Sequence, residues 1–63
     1  MKIQLHELIS RLKPDIVVRV ERDNFILIED KASNIDDNLS EYQHYLVKDL
    51  YLNMLNKLII TIE

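Results

Sequence analysis

Three side chains in this sequence have the types and spacing to hold a metal ion against a phosphate. They are Asp15, directly after Pro14, and Glu29 and Lys31, which flank Asp30 at the end of an apolar run. Two carboxylates offer hard oxygen ligands to Mg²⁺ or Mn²⁺; magnesium takes one or two protein carboxylates, keeps several waters and binds phosphate oxygens besides. The ion polarises the phosphate and lowers the pKa of a bound water. Lys31, two residues beyond Glu29 on an extended chain, projects from the same face about 6–7 Å away. There its ammonium orients the attacking water or stabilises charge on phosphorus. Asp30 points to the opposite face and is not a ligand in this scheme.

The elements that must position these groups follow from apolar spacing. Leu5, Leu8, Ile9 and Leu12 sit at i, i+3, i+4 and i+7, which predicts a helix over 3–12, ended by Pro14. Residues 15–21 and 24–31 alternate and are rich in Val and Ile, which predicts two strands joined near Arg22-Asp23-Asn24. Asp and Asn tolerate the left-handed backbone such a turn needs. A three-residue loop with Val20 opposite Asn24 sets Asp15 opposite Glu29 and gathers Ile16, Val18, Val20, Ile26 and Ile28 on one face. That register, or an equivalent one with a bulge, is the expected one.

Beyond the hairpin, Ala32–Asp37 reads as a loop, with Ser33/Asp36 and Asn38/Glu41 at N-cap spacing. A helix is expected over about 37–51, with Leu39, Tyr42, Leu46 and Leu50 along one stripe. Tyr51–Asn56 fits either an extension of that helix or a turn, and residues 57–62 (KLIITI) read as a last strand. The expected fold class is α/β: a minimal helix, β-hairpin, helix, strand arrangement with a mixed three-stranded sheet, completed by dimerisation.

Size and composition bound the rest. Residues 1–63 make a single domain, or a fragment of a larger one. A chain this short buries only about 60% of its unfolded surface, so a lone core is marginal. There is no cysteine to staple it, and 48% of its residues are hydrophobic, which points to a homo-oligomer. The net charge of −3 provides no uniformly basic face for nucleic acid. No apolar run reaches the roughly 18 residues of a membrane span. The N-terminal stretch has no h-region of a signal peptide, so the expected setting is cytoplasmic. Glycine is absent, so Asn, Asp, Ser and Pro must make every turn.

The segment PDIVVRVERDNFILIEDKASNIDDNLSEYQHYL resembles the core of small bacterial and phage members of the PD-(D/E)XK nuclease superfamily. The resemblance spans about residues 14–46. It implies a restriction-endonuclease-like core, with Asp15 and Glu29 binding Mg²⁺ or Mn²⁺, Lys31 catalytic and DNA as the partner. Many members open the helix after the lysine strand with Gln-Leu-x-x-Tyr. Here Asn38-Leu39-Ser40-Glu41-Tyr42 takes that place, which assigns Asn38 and Tyr42 a supporting role, with Gln43 as the alternative to Asn38. Glu7 is the candidate for the glutamate that the family's first helix often supplies. The strand that usually precedes the aspartate strand is missing.

Each residue also has an ordinary structural reading. Pro-Asp is common turn chemistry, and Glu and Lys near a strand end are commonly solvated. His6 and His44 read as helix surface, and Tyr42, Tyr45 and Tyr51 as core or interface. Two functions therefore stand as expectations. One is metal-dependent hydrolysis of phosphodiester bonds in DNA. The other is a catalytically inactive nuclease-like module that acts in oligomerisation or partner binding.

Overall fold

The structure, a computed structural model, describes residues 2–38 and 41–63, with the backbone alone for 36–38. The elements in chain order are α1 (Leu5–Ile9), β1 (Val17–Arg22), β2 (Phe25–Lys31), α2 (Ala32–Asn38), β3 (Val47–Leu52) and β4 (Leu58–Ile62). The strands form one mixed sheet in the order β2-β1-β4-β3. Two antiparallel hairpins, β1–β2 and β3–β4, meet along the parallel pair β1 and β4. This is a small α/β fold with four strands rather than the expected three. No helix among the described residues is long and apolar enough to cross a membrane.

One face of the sheet carries both helices. Leu5 and Ile9 of α1 and Ala32 and Ile35 of α2 pack on Val18, Val20, Val47, Ile60 and Ile62. The spacings explain why these short elements dock: Leu5 and Ile9 are i, i+4, and Ala32 and Ile35 are i, i+3. The helix expected over 3–12 is shorter than its pattern. After Ile9 the chain closes with tight turns, Arg11 N–H to Leu8 C=O and Leu12 N–H to Ile9 C=O (both 3.1 Å). Leu8 and Leu12 still reach the core.

The β1–β2 turn is built as the glycine-free composition requires. Asp23 and Asn24 have φ of 51° and 70°, and Arg22 pairs with Phe25. Two consecutive left-handed residues make the type I′ geometry that matches strand twist. A bulge follows, since Val20 pairs with Ile28 but Glu21 with Ile26. It turns Leu27 as well as Ile28 onto the core and leaves Ile26 exposed, contrary to the expected placing of Ile26.

Two expectations after the hairpin are corrected. The helix begins at once at Ala32, not near residue 37, and Ser33 lies inside it rather than capping it. Val47–Leu52 is the strand β3, not the end of a helix. The β3 ladder has its own bulge, with Val47 opposite Ile62 and Asp49 opposite Thr61, so Lys48 is extra. Val47 and Leu50, three apart, therefore both face the core, which copies the i, i+3 signature of a helix. Leu39, Ser40 and the Asn38 side chain lie outside the described residues, and with them the start of the stripe.

Candidate functional site

The Pro14-Asp15 pair forms a β-turn. Ile16 N–H donates to Lys13 C=O at 3.2 Å, which places Pro14 at the second position, where its fixed φ belongs. The turn is tied to the start of α2: Ala32 N–H donates to Ile16 C=O (2.8 Å) and Ser33 N–H to Pro14 C=O (3.3 Å). Asp15 is exposed and lies two residues before β1.

The structure does not set Asp15 opposite Glu29. Glu29 pairs with Arg19, and Lys31 with Val17. Asp15 is thus four residues along the chain from the partner of Glu29, and it sits inside the Lys13–Ile16 turn rather than on β1. Carboxylates sharing one Mg²⁺ at about 2.0–2.1 Å need their oxygens within about 3–4 Å of each other. The physical reason for the shift is the turn: with Asp23 and Asn24 at its corner and a bulge beyond it, the partners of Val17–Val20 move four positions along β2. Glu29 and Lys31 do share the open face of the sheet, as alternation requires.

On that face Glu29 is already engaged. Its Oε1 accepts from Arg19 Nε at 2.7 Å and lies 3.5 Å from Lys57 Nζ, and Arg19 Nη1 lies 3.8 Å from Glu21 Oε2. Two cations and two anions balance. The Arg19 hydrogen bond, with the charges of Arg19 and Lys57, holds the Glu29 carboxyl below the usual carboxylate range. The same bond raises the Arg19 guanidinium. Arg19 and Tyr51 are the register partners of Ile59 on its two sides, and Ile59 is buried on the open face between them. The network therefore covers the one apolar residue of β4 that faces away from the helices. Arg19 and Lys57 are the neighbours of Glu29 that the motif hid. The period-two run Arg19, Glu21 was their visible signal.

Asp30 faces the helix side. Its Oδ1 accepts from Asn34 Nδ2 (3.0 Å) and Lys31 N–H (2.7 Å), clamping β2 to α2 and lowering its pKa, the Asn34 bond first. Both carboxyls titrate lower folded than unfolded, so their contribution is present above the unfolded values and is lost as pH falls through and below the ordinary carboxylate range. In acid titration followed by circular dichroism, Glu29→Gln should flatten part of this loss. An unchanged acid limb for Glu29→Gln together with Asp30→Asn would contradict it.

The supporting candidates are dispersed. Glu7 is half-buried on α1, and its carbonyl accepts from Ser10 Oγ (2.9 Å). Tyr42 packs against the core, edge-to-face with Tyr45 at 5.4 Å. Gln43 uses its carbonyl to accept from His6 N–H (3.0 Å). Among the described residues no three of His, Cys, Asp and Glu converge to hold a metal ion. An open cleft lined by Asp23, Asn24, Lys48, Thr61, Ile62 and Glu63 lies at the end of the sheet away from Asp15. Comparison with family models, with curated proteins and with solved structures gives no match, so the restriction-endonuclease-like resemblance rests on the motif residues alone.

Proposed function

We propose that this chain works by association rather than turnover: a catalytically inactive cytoplasmic module that pairs with a second copy of itself through the β3 edge and the β3–β4 hairpin. The carrying observation is apolar exposure. Tyr51, Leu52, Met54 and Leu55 are 55, 62, 100 and 74% exposed, side by side in sequence at one corner of the sheet. Contiguous patches of a few hundred Å² on so small a surface mark interaction sites. They adjoin the far end of the outer β3 edge, beyond Val47 N–H, which is taken by Ile3 C=O, and Leu50 N–H, which is taken by Asp49 Oδ1, so a strand would add at Leu52 and the turn after it. Sedimentation of the wild-type chain should show dimers. Leu52→Lys with Met54→Asp should weaken pairing by about tenfold or more, the size expected when central apolar contacts are removed. A wild type that stays monomeric at every accessible concentration overturns the proposal.

A second reading is metal-dependent cleavage of DNA. It is favoured by Glu29 and Lys31 sharing one face, with the Asp15 turn beginning just beyond Lys31. It requires a Mg²⁺ or Mn²⁺ ion to draw Glu29 away from Arg19 and Lys57. Mn²⁺-dependent nicking of plasmid DNA, lost in Lys31→Ala, would establish it in place of the inactive module.

A further inference from the structure

His6 on α1 and His44 on the segment before β3 are distant in sequence and adjacent in space. Their rings meet edge to face with centroids 5.4 Å apart and an interplanar angle of 80°. Both aim one nitrogen at the same atom. His6 Nε2 lies 2.7 Å and His44 Nδ1 3.1 Å from Gln4 Oε1, so each donates an N–H to that oxygen. Two imidazole nitrogens converging on one point are the geometry of metal ligands. In a tetrahedral site with Zn–N of about 2.0–2.1 Å and a ring centroid ~1.1 Å behind each nitrogen, two ligating rings have centroids about 5.2 Å apart.

The backbone holds this arrangement from both sides. Leu5 N–H donates to Tyr45 C=O (2.9 Å), His6 N–H to Gln43 C=O (3.0 Å) and Val47 N–H to Ile3 C=O (2.8 Å). Leu5 and Val47 are fully buried, so the two segments are fixed to the core next to the rings.

We propose that His6 Nε2 and His44 Nδ1 form a two-imidazole site for a first-row divalent ion such as Zn²⁺, with Gln4 Oε1 occupying the point where the ion would sit. Imidazole nitrogen suits Zn²⁺, Ni²⁺ and Cu²⁺ and not the Mg²⁺ of the carboxylate scheme. Binding needs a lone pair on each aimed nitrogen, so the ring proton moves to His6 Nδ1 and to His44 Nε2. No net proton is released when both rings start neutral. Gln4 swings out, and water fills the remaining positions. The ion would clamp the segment before β3 to α1 and so stabilise the folded chain, because it binds that state alone. The site lies before the start of β3, whereas the association surface lies at its far end, at Tyr51–Leu55.

Zn²⁺ titration, read by the His6 and His44 ring resonances and by calorimetry, tests it. Wild-type protein should shift both rings and gain in Tm. His44→Ala, at an exposed position, should weaken binding by about tenfold or more, since half of the protein ligands are gone. His6→Gln should do the same, and Gln4→Ala should bind at least as tightly as wild type. Circular dichroism without Zn²⁺ checks that each variant is folded. Unchanged affinity in either histidine variant, or Zn²⁺-induced dimers in which the two rings come from different chains, overturns the proposal.

Discussion

Ile60→Ala should cost about 2–5 kcal/mol and leave the chain largely unfolded at room temperature. Ile60 is wholly buried on β4, with Val20 on one side and Leu50 on the other. Val20 belongs to one hairpin and Leu50 to the other, and the helix residues Leu5, Ile9, Ala32 and Ile35 share the same core, so the walls of the cavity belong to different elements and cannot collapse together. A domain of this size has only about 3–5 kcal/mol from a single core, so the loss approaches the whole. Urea unfolding of Ile60→Val, expected to lose about 0.5–1.5 kcal/mol, gives the calibrating step. A cost below about 1 kcal/mol for Ile60→Ala would mean that Ile60 is not central.

Asn53→Ala should cost about 1–2 kcal/mol and loosen the β3–β4 hairpin. One carbonyl oxygen organises that connection. Asn53 Oδ1 accepts from Leu55 N–H and Lys57 N–H, both at 2.9 Å. Its backbone N–H donates to Lys57 C=O (2.9 Å), and its C=O accepts from Asn56 N–H (3.1 Å). Asn56 takes φ of 60°, a position another chain would give to glycine. Removing the Asn53 amide leaves the Lys57 N–H, in a half-buried setting, without its acceptor. Asn53→Asp keeps the acceptor and should retain most of the stability. Amide exchange at Leu55 and Lys57 is the direct measure: protection should fall in Asn53→Ala and persist in Asn53→Asp.

What the sequence made legible was faces rather than registers. Alternation correctly put Val18, Val20 and Ile28 on the core side and Glu29 and Lys31 on the other. Over Val17–Val20 the pairing moved by four, from Asp15 opposite Glu29 to Arg19 opposite Glu29, and an even shift leaves those side chains on the face they had; beyond the bulge it moved by three, which exposes Ile26. Burial is blind to the even slip. Only turn chemistry separates the two, and Asp23-Asn24, consecutive and left-handed, was the deciding signal. In a chain without glycine, Asp23, Asn24 and Asn56 take the left-handed positions.

β3 was illegible for a related reason. A bulge at Lys48 spaces Val47 and Leu50 as a helix would, and the upstream Tyr42 and Leu46 prolong the stripe. The candidate site was read from types and spacing, which select Asp15, Glu29 and Lys31 but cannot reveal a guanidinium across the ladder. Arg19 is that group, and its bond to Glu29 exists only in the true register. Neither histidine has a partner at helical spacing, so nothing in the sequence joins them; their partner is each other.

The central place of β4 has a consequence for how this chain comes to be folded. The first and the last of these strands are neighbours, so β1 and β2 form a ribbon without its parallel partner until residues 58–62 dock. Two-stranded ribbons are marginal in water. The decisive encounter therefore spans most of the sequence and comes late. Folding should be a single, comparatively slow step, with the β1 edge open to wrong partners until β4 docks.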